Sequence, residues 1–341
     1  MPFHEELSRE AALHKPLTGG AVRCLACAHG CAPAEGEAGI CGVRFNRGGK
    51  LRAPWGYVST VAPDPIEKKP FFHVLPGART LSFGMYGCNF HCGFCQNWQI
   101  AGVKEAVELS PIETSPEALA EAAVSCGAKV VISTYNEPLI TAEWGAAVFA
   151  AAKKRGLRTG FVSNGYATPE AAAFLRPHLD LWKVDLKSFN PENFRKVCGA
   201  DLSKVLKGIE LIKAAGFWVE AVTLLIPGFN DTDAEIGKMA AFLAGLSQDI
   251  PWHLTSFHPD HQMTDRGPTP ESTLRRAREI AVKTGLRYVY CGNISGAAGQ
   301  NTACPSCGRE VIVREGFSVK TNLLGEKGLC PCGHKIPGIW A

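Results

Sequence analysis

Seven short apolar segments alternate with helix-like segments between residue 79 and residue 292 of this chain. One of the helix-like segments, SPEALAEAAVSC, has Ser115 as its N-cap, Pro116 at the first helical position and Gly127 just beyond its end. Repeated β-α units of this kind form a parallel sheet, either open or closed into a barrel. The sequence therefore predicts an α/β fold. The candidate strands are RTLSFGM, KVVIST, RTGFVSN, LWKVDLK, WVEAVTLLIP, WHLTSF and LRYVYC.

The two ends of the chain differ from this repeating centre. Residues before 79 and after about 292 are rich in Gly and Pro, show few helical periods, and carry four clustered cysteines at each end. We therefore predict three parts: an N-terminal cysteine-rich module over residues 1–78, a barrel-like domain over 79–292, and a C-terminal cysteine-rich module over 293–341.

The bulk composition excludes several classes of protein. The 341 residues are 46% hydrophobic and 20% charged, which is typical of a globular protein with one large core. A formal charge of only +4 gives no case for nucleic acid or a membrane surface as a partner. No stretch approaches the roughly 20 apolar residues that cross a bilayer. The polar, acidic start of the chain is unlike a secretory signal, so we expect a cytoplasmic protein.

The fourteen cysteines fall into three groups and three single residues. In a chain of this length without a secretory signal, they indicate metal or redox chemistry rather than disulfides. We expect the single residues, Cys126, Cys198 and Cys291, to be small buried side chains. The groups are Cys24, Cys27, Cys31 and Cys41; Cys88, Cys92 and Cys95; and Cys304, Cys307, Cys330 and Cys332.

The middle group follows directly on the first candidate strand, at spacing C-x3-C-x2-C. It lies at the carboxyl end of that strand, where parallel α/β folds place their active sites. A [4Fe–4S] cluster normally takes four thiolates, so three leave one iron open to a ligand from outside the protein. A Cys3His zinc site that uses His91 is the alternative. It is disfavoured because His91 and Cys92 are adjacent and would have to converge on one tetrahedral ion.

The same stretch resembles a known family. C-x3-C-x-aromatic-C, here with Phe94, is similar to the signature of the radical S-adenosylmethionine (radical SAM) superfamily. Three stretches, SFGMYGCNFHCGFCQNW, STYNEPLI and YCGNISGAAGQNTACPSCG, resemble the radical enzymes of the AmmeMemoRadiSam system, which are related to pyruvate formate-lyase activating enzymes. The similarity runs from about Val22 to Gly338. It implies a partial (β/α)6 TIM-like barrel, flanked by the two cysteine-rich modules.

The resemblance also implies a mechanism. S-adenosylmethionine would chelate the fourth iron of a [4Fe–4S] cluster on Cys88, Cys92 and Cys95. An external one-electron donor of the flavodoxin or ferredoxin type would reduce the cluster. Cleavage of the cofactor would then give a 5′-deoxyadenosyl radical that abstracts hydrogen from a protein glycine, a peptide or a small molecule. The system's name implies Memo-type and AMMECR-type proteins as companions.

Further residues are assigned through the same resemblance. Asn136 and Glu137 stand where the superfamily has a GGE motif that binds the amino group of S-adenosylmethionine, and a helix-capping turn is the alternative. Asn164 matches an asparagine that reaches ribose hydroxyls, or it is a turn residue. Phe94 belongs to the expected cofactor site as well.

Three residues of the predicted rim complete the cofactor site. Asp185 and Lys187 alternate with apolar residues in LWKVDLK, so both face one side of their strand. They match a D-x-K of the activating enzymes, and a simple ion pair at the rim is the alternative. His258 matches a rim histidine near the adenosine.

The two flanking cysteine groups predict further metal sites. Cys304-x2-Cys307 and Cys330-x-Cys332 resemble the two knuckles of a zinc ribbon, with rubredoxin-type iron as the alternative. The N-terminal group, Cys24, Cys27, Cys31 and Cys41, fits zinc, which we favour, or a second [4Fe–4S] cluster that relays electrons.

A different class of function accounts for part of the pattern. Two zinc modules around a vestigial barrel would form a zinc-binding adaptor rather than an enzyme. An adaptor does not need Cys88, Cys92, Cys95 and Glu137 together on one rim, and we therefore favour the enzyme.

Overall fold

The predicted strands form the centre of the structure. The computed structural model describes residues 6–103, 110–294 and 299–341. Within these residues the main sheet has eight strands, in the order β15-β14-β13-β12-β11-β10-β8-β7. Its strands are β7 (Thr60–Pro65), β8 (Arg79–Gly84), β10 (Val130–Ser133), β11 (Arg158–Ser163), β12 (Leu181–Asp185), β13 (Trp218–Leu225), β14 (Trp252–Ser256) and β15 (Val289–Gly292).

The remaining strands form small sheets, and the helices connect the strands of the main sheet. The other strands are β1 (Ser8–Glu10), β2 (His14–Pro16), β3 (Val22–Cys24), β4 (Phe45–Arg47), β5 (Lys50–Pro54), β6 (Tyr57–Val58), β9 (Ile112–Glu113), β16 (Thr302–Ala303), β17 (Glu310–Glu315) and β18 (Ser318–Asn322). The α-helices are Trp98–Ala101, Pro116–Ser125, Ala142–Lys153, Pro169–Leu175, Pro191–Asn193, Leu202–Ala214, Asp233–Leu246 and Glu271–Lys283. Short 3-10 helices cover Thr18–Gly20, Ile66–Lys68 and Pro138–Thr141, and a π-helix covers Phe194–Cys198.

The main sheet is an open α/β sheet of the predicted class. All pairings from β8 through β15 are parallel, and only the edge pair β7–β8 is antiparallel. Six parallel strands, β8 and β10–β14, correspond to the predicted (β/α)6 unit, and β15 adds a seventh. The outer strands β7 and β15 lie at opposite edges, so the described sheet does not close into a full barrel. None of the helices described is long and apolar enough to cross a bilayer.

Sequence patterns explain why the connecting helices start where they do. Ser115 and Thr168 each accept a hydrogen bond from a backbone amide of the following helix, and each is followed by proline at the first helical position. Such caps satisfy amides that have no partner inside the helix. The predicted N-cap of the first of these helices is therefore confirmed.

The N-terminal residues pack into the core of the main sheet. Leu13, Val22 and Leu51 belong to the same buried hydrophobic cluster as the barrel helices. Arg44 donates to both carboxylate oxygens of Glu143 on a barrel helix, at 2.6 and 2.8 Å, and both side chains are buried. β7 itself lies within residues 1–78 and pairs with β8. The first segment therefore contributes both a small module and an edge of the main sheet.

The C-terminal segment packs beside β15. Arg314 on β17 is fully buried and donates to the carbonyl of Phe72, at 2.7 Å, and to the hydroxyl of Thr302, at 3.0 Å. Tyr290 on β15 binds the same hydroxyl, at 2.9 Å. The stretch that carries the C-terminal resemblance includes residues 295–298, which lie outside the described residues.

Glu220 joins the edge segments to the sheet. Its carboxylate accepts hydrogen bonds from the amides of Phe72 and His73, at 2.9 and 3.0 Å, and from the indole of Trp218, at 3.0 Å. The imidazole of His253 lies 2.7 Å away and is also buried. His73 in turn contacts the hydroxyl of Tyr290, at 2.7 Å, and burial lowers the pKa of His73 to about 4. The carboxylate of Glu220 thus ties residues 72–73 to β13 and β14, and His73 extends the network to β15.

We predict that Glu220→Ala lowers the free energy of unfolding by about 3–5 kcal/mol, because it leaves buried amides and an imidazole without their acceptor. Urea unfolding monitored by tryptophan fluorescence measures the change. Glu10→Ala, which removes an exposed pair with Lys50, is the control and should unfold like wild type. A loss below about 1 kcal/mol for Glu220→Ala would contradict the role assigned to this network.

Candidate functional site

A cavity of 490 Å³ lies at the carboxyl ends of the parallel strands. Its walls come from the loops after β8, β10, β11 and β12 and from β13, β14 and the residue after β15. The sheet therefore curves around one space, as expected for a partial barrel. Nine of the ten predicted catalytic and cofactor-binding residues line it: Cys88, Cys92, Phe94, Cys95, Asn136, Glu137, Asn164, Asp185 and Lys187.

The cysteine loop is held in place by backbone contacts. The amides of His91 and Gly93 donate to the carbonyls of Cys198 and Val197, at 3.0 and 3.1 Å. These carbonyls belong to the π-helix Phe194–Cys198, a type of distortion that often marks functional sites. Gly87 starts the loop with φ of 91°, and a Cβ atom there would lie 2.8 Å from the carbonyl oxygen of Cys41. The loop is thus fixed between the π-helix and the N-terminal module.

The three sulfurs of this loop do not all lie within 4.8 Å of one another. In the described chain, only the C-terminal cysteines bring three or more ligand atoms within 4.8 Å of one another. Four ligands around one zinc ion must approach more closely, so the spacing disfavours the Cys3His zinc alternative. Burial raises the pKa of Cys88 and raises that of Cys95 to about 11. A hydrogen bond with Cys198 lowers the pKa of Cys92, so the three thiols of the loop differ.

Glu137 presents a buried carboxylate to the cavity. Its Oε1 accepts from the amide of Leu139 and the hydroxyl of Ser163, at 3.0 and 2.8 Å, and its Oε2 accepts from the amide of Asn164, at 2.7 Å. A carboxylate has about four acceptor positions, so one remains for a further donor. Among the described residues no cationic side chain pairs with it. Burial raises its pKa to about 7 despite these hydrogen bonds. Glu137 also caps the 3-10 helix Pro138–Thr141, which was the alternative interpretation.

The two asparagines make contacts within the protein. Asn136 accepts from the amide of Met85, at 3.1 Å, and donates to the carbonyl of Gly87, at 3.0 Å, so it holds the start of the cysteine loop. Asn164 donates to Oδ1 of Asn89, at 2.7 Å, and accepts from the amide of Tyr166, at 3.1 Å. Their side chains therefore position the loops around the cavity. Their predicted contacts with cofactor stay predictions.

Asp185 lies between two lysines. Lys183 and Lys187 place their ammonium groups 2.8 and 3.1 Å from its two carboxylate oxygens. Burial by itself raises the pKa of Asp185, but the lysines overcome this effect and lower it to about 2. Lys183 was not among the predicted site residues. It shares the strand period with Asp185 and Lys187, so the alternation in LWKVDLK could have indicated it.

Phe94 and His258 differ in their exposure to solvent. Phe94 is buried, and its ring centroid lies 5.8 Å from that of Phe229 and 5.9 Å from the ammonium of Lys187. His258 is exposed at the outer rim, where its Nε2 lies 3.0 Å from the amide nitrogen of Gln96. Gln96 lines the cavity and His258 does not.

The edge of the cavity near β7 contains residues without a predicted role. Lys69 reaches the hydroxyl of Tyr135, at 3.1 Å, and pairs with Asp64 on β7, at 2.8 Å. Tyr135 has φ of 73°, a conformation that favours glycine. In the resemblance to the superfamily's GGE motif, Tyr135 stands at the first glycine. The positive φ at this position gives a structural reason for a glycine there. This backbone conformation could not be predicted from the sequence. Phe317, half exposed at the tip of the β17–β18 hairpin, also lines this side.

The C-terminal cysteines form a compact group. The sulfurs of Cys304 and Cys332 are 3.7 Å apart, and so are those of Cys307 and Cys330. All four lie within 4.8 Å of one another. Sulfurs bound about 2.3 Å from one tetrahedral ion have this separation, so these residues could hold a single zinc ion.

Comparison with known proteins agrees with this arrangement. The family model described as Radical SAM superfamily matches residues 83–243. An uncharacterized protein of Methanocaldococcus jannaschii is 38% identical over 332 residues, which cover 96% of this chain and 98% of that protein. The pyruvate formate-lyase 1-activating enzyme of Escherichia coli K12 is 23% identical over 233 residues, which cover 63% of this chain and 93% of that enzyme.

A solved structure of a domain of pyruvate-formate lyase-activating enzyme from Bacteroides vulgatus is 23% identical, with a TM-score of 0.42, and the match covers 48% of this chain and 98% of that domain. The matched family region contains the cysteine loop, Glu137, Asn164 and Asp185. The chain belongs to the radical SAM superfamily and is related to the pyruvate formate-lyase activating enzymes.

Proposed function

We propose that this chain is a radical SAM enzyme that cleaves S-adenosylmethionine reductively and abstracts hydrogen from a substrate. The observation that carries the proposal is the cavity itself, with three thiols and an unpaired carboxylate, Glu137, on its wall. Members of the superfamily are enzymes, and the relationship to activating enzymes supports one-electron chemistry.

The residues present fit the cofactors that the family implies. Cys88, Cys92 and Cys95 would hold a [4Fe–4S] cluster, since their three sulfurs are not gathered within 4.8 Å of one another as around one ion. The cavity continues from these thiols to Glu137 and Asp185, which leaves room for S-adenosylmethionine beside the cluster. When bound, the reduced cluster and S-adenosylmethionine supply a 5′-deoxyadenosyl radical that takes a hydrogen atom from the substrate.

The side chains of the protein bind and orient the cofactor. Glu137 accepts a hydrogen bond from the ammonium of the cofactor at its remaining acceptor position, because it is a buried carboxylate without a cationic partner among the described residues. Lys187 remains charged beside Asp185 and provides a donor close to Phe94. Phe94, Val222 and Leu224 make the wall apolar and restrict water near the reacting atoms.

We infer that the substrate enters between the two sheet edges. The β7 and β15 sides do not pair, and Lys69, Asn293 and Phe317 line the cavity there. An opening of this kind suits a peptide loop carrying a glycine, in the manner of an activating enzyme, and it also admits a small molecule. We propose further that the chain acts in an AmmeMemoRadiSam system, with Memo-type and AMMECR-type companions and a flavodoxin or ferredoxin as reductant.

We propose that the C-terminal cysteines hold structural zinc. The 3.7 Å sulfur separations support one tetrahedral ion, and the nearby strands are short. A zinc-binding adaptor without radical chemistry is the competing function. Metal analysis of anaerobically purified protein separates the two, because an adaptor would contain zinc and no iron.

We predict that Cys92→Ala loses about four irons per chain and forms no 5′-deoxyadenosine with dithionite and S-adenosylmethionine. The protein should stay folded, because the loop lies at the cavity rather than in the strand core. Iron analysis, chromatography of the nucleoside and circular dichroism measure these properties. Cys126→Ala, which changes a half-buried cysteine outside the three groups, is the control. Nucleoside formation at the wild-type rate by Cys92→Ala would rule out the assignment.

We predict that Glu137→Gln weakens binding of S-adenosylmethionine by about tenfold to a hundredfold, since a charge-assisted hydrogen bond contributes roughly 1.5–3 kcal/mol. Iron content and cluster absorbance should be unchanged. Anaerobic titration gives the dissociation constant.

The pH dependence of the same binding provides a second test. The carboxylate of Glu137 has a pKa raised to about 7 by burial, so it is charged above that pH and protonated below it. Wild-type affinity should therefore fall as the pH is lowered from 8 to 6, and Glu137→Gln should not show this fall. Equal affinities, within twofold at pH 8, would instead support a purely structural capping residue.

We predict that Cys307→Ser loses about one zinc per chain and unfolds at a lower temperature, because a small module depends on its metal for folding free energy. Cleavage of S-adenosylmethionine, measured at low temperature, should persist. Cys126→Ser is the matched control. Unchanged melting with full zinc content would refute the ribbon assignment.

A further inference from the structure

The N-terminal cysteines surround a small internal space. Cys24, Cys27 and Cys41 are buried and Cys31 is half-buried. Backbone hydrogen bonds draw their segments together: the amide of Cys24 donates to the carbonyl of Cys31, at 2.8 Å. All four line this internal space, together with His29, Arg44 and Asn89.

The separation of these sulfurs differs from that in the C-terminal group. Cys304, Cys307, Cys330 and Cys332 lie within 4.8 Å of one another, whereas no three of Cys24, Cys27, Cys31 and Cys41, all of them described residues, do so. Four thiolates about 2.3 Å from one zinc ion leave no space between them. A cubane cluster binds each thiolate to a different iron, which keeps the sulfurs apart and fills the space between them. The sulfurs of Cys88, Cys92 and Cys95 likewise do not all lie within 4.8 Å of one another.

Two buried donors also belong to the lining of this space. Asn89 and Arg44 are each 1% exposed, and Nδ2 of Asn89 and Nε of Arg44 have no nitrogen or oxygen acceptor among the described residues. The side chain of Asn89 faces the thiol of Cys27. Unpartnered buried donors are costly, so an acceptor at this place would remove a penalty. Thiolate and sulfide sulfurs are such acceptors.

We propose that Cys24, Cys27, Cys31 and Cys41 hold a second [4Fe–4S] cluster that passes electrons to the cluster on Cys88, Cys92 and Cys95. This reverses the preference for zinc that the sequence alone gives. The metal assignment rests on the N-terminal geometry, and the relay role also rests on the proposed function.

The contacts of Asn89 support the relay. Asn89 lines the N-terminal cavity, and its Oδ1 lies 4.0 Å from the sulfur of Cys88. On the other side of Cys88, Gly87 approaches the carbonyl of Cys41 so closely that no Cβ atom fits. Both neighbours of Cys88 therefore contact the N-terminal site. One electron from a flavodoxin or ferredoxin would convert the N-terminal cluster from the 2+ to the 1+ state, and its transfer would reoxidise that cluster and reduce the second one.

The metal is tested without changing the proposed site. We expect Cys88→Ala/Cys92→Ala/Cys95→Ala, purified anaerobically, to retain about four irons and about one zinc per chain, and to give the electron paramagnetic resonance signal of a reduced [4Fe–4S] cluster with dithionite. Cys126→Ala, as the control, should retain about eight irons. A triple variant with no iron and about two zinc ions would overturn the proposal.

The relay is tested with two reductants. In Cys24→Ala/Cys27→Ala, dithionite should still reduce the remaining cluster, because it is small enough to reach it directly. Reduced flavodoxin should do so at least tenfold more slowly than in wild type. Reduction by flavodoxin at the wild-type rate would overturn the relay. If the double variant loses both clusters, Asn89→Ala is measured instead, because it keeps every cysteine. Slower reduction by flavodoxin would then support the relay, and reduction at the wild-type rate would overturn it.

These results are separable from the proposed function. An iron-free triple variant, alongside a wild type that forms 5′-deoxyadenosine, would contradict only the second cluster. A wild type with about eight irons that never cleaves S-adenosylmethionine would contradict only the proposed function.

Discussion

The open side of the sheet is the constraint on which the rest of the structure depends. Seven parallel strands leave β7 and β15 unpaired with each other, and this gap must be covered at one end and kept accessible at the other. Glu220 lies near the start of β13 and collects the amides of residues 72 and 73 together with His253. Because these groups are buried, their hydrogen bonds hold the edge segments at the amino ends of the strands. The carboxyl ends of the strands remain free to form the cavity.

Two acidic residues in that cavity differ in a way that assigns them different tasks. Asp185 has two lysines as neighbours, and its charge is neutralised within the protein. Glu137 is more deeply buried than Asp185 and is surrounded by neutral donors, and no described cation pairs with it. Burial of an unpaired carboxylate is unfavourable. It is therefore Glu137, rather than Asp185, that would gain most from a ligand carrying an ammonium group.

Hydrophobic periodicity and helix-capping residues were sufficient to place the seven parallel strands, since apolar runs and helix caps are local features of the sequence. The nine predicted residues that share the cavity came instead from the resemblance to radical SAM enzymes and from the position of the cysteine loop after a strand. Lys183 was available from strand alternation and was overlooked. Arg44, Asn89 and Lys69 could not be predicted, because their importance comes from contacts between segments far apart in the chain. The pairing of β7 with β8 is of the same kind, since the short run Thr60–Pro65 contains two prolines and carries no strand pattern.

The three cysteine groups show most directly what spacing along the chain leaves open. The N-terminal and C-terminal groups both begin with C-x2-C, and on that basis both suggest zinc. What distinguishes them is the distance at which the backbone holds the sulfurs and the groups that face them. In the C-terminal group the sulfurs meet at 3.7 Å beside short strands. In the N-terminal group they line a space with two unpartnered donors, adjacent to the loop that carries Cys88. The first arrangement has the sulfur spacing of one tetrahedral ion, and the second is the one for which we propose a cluster.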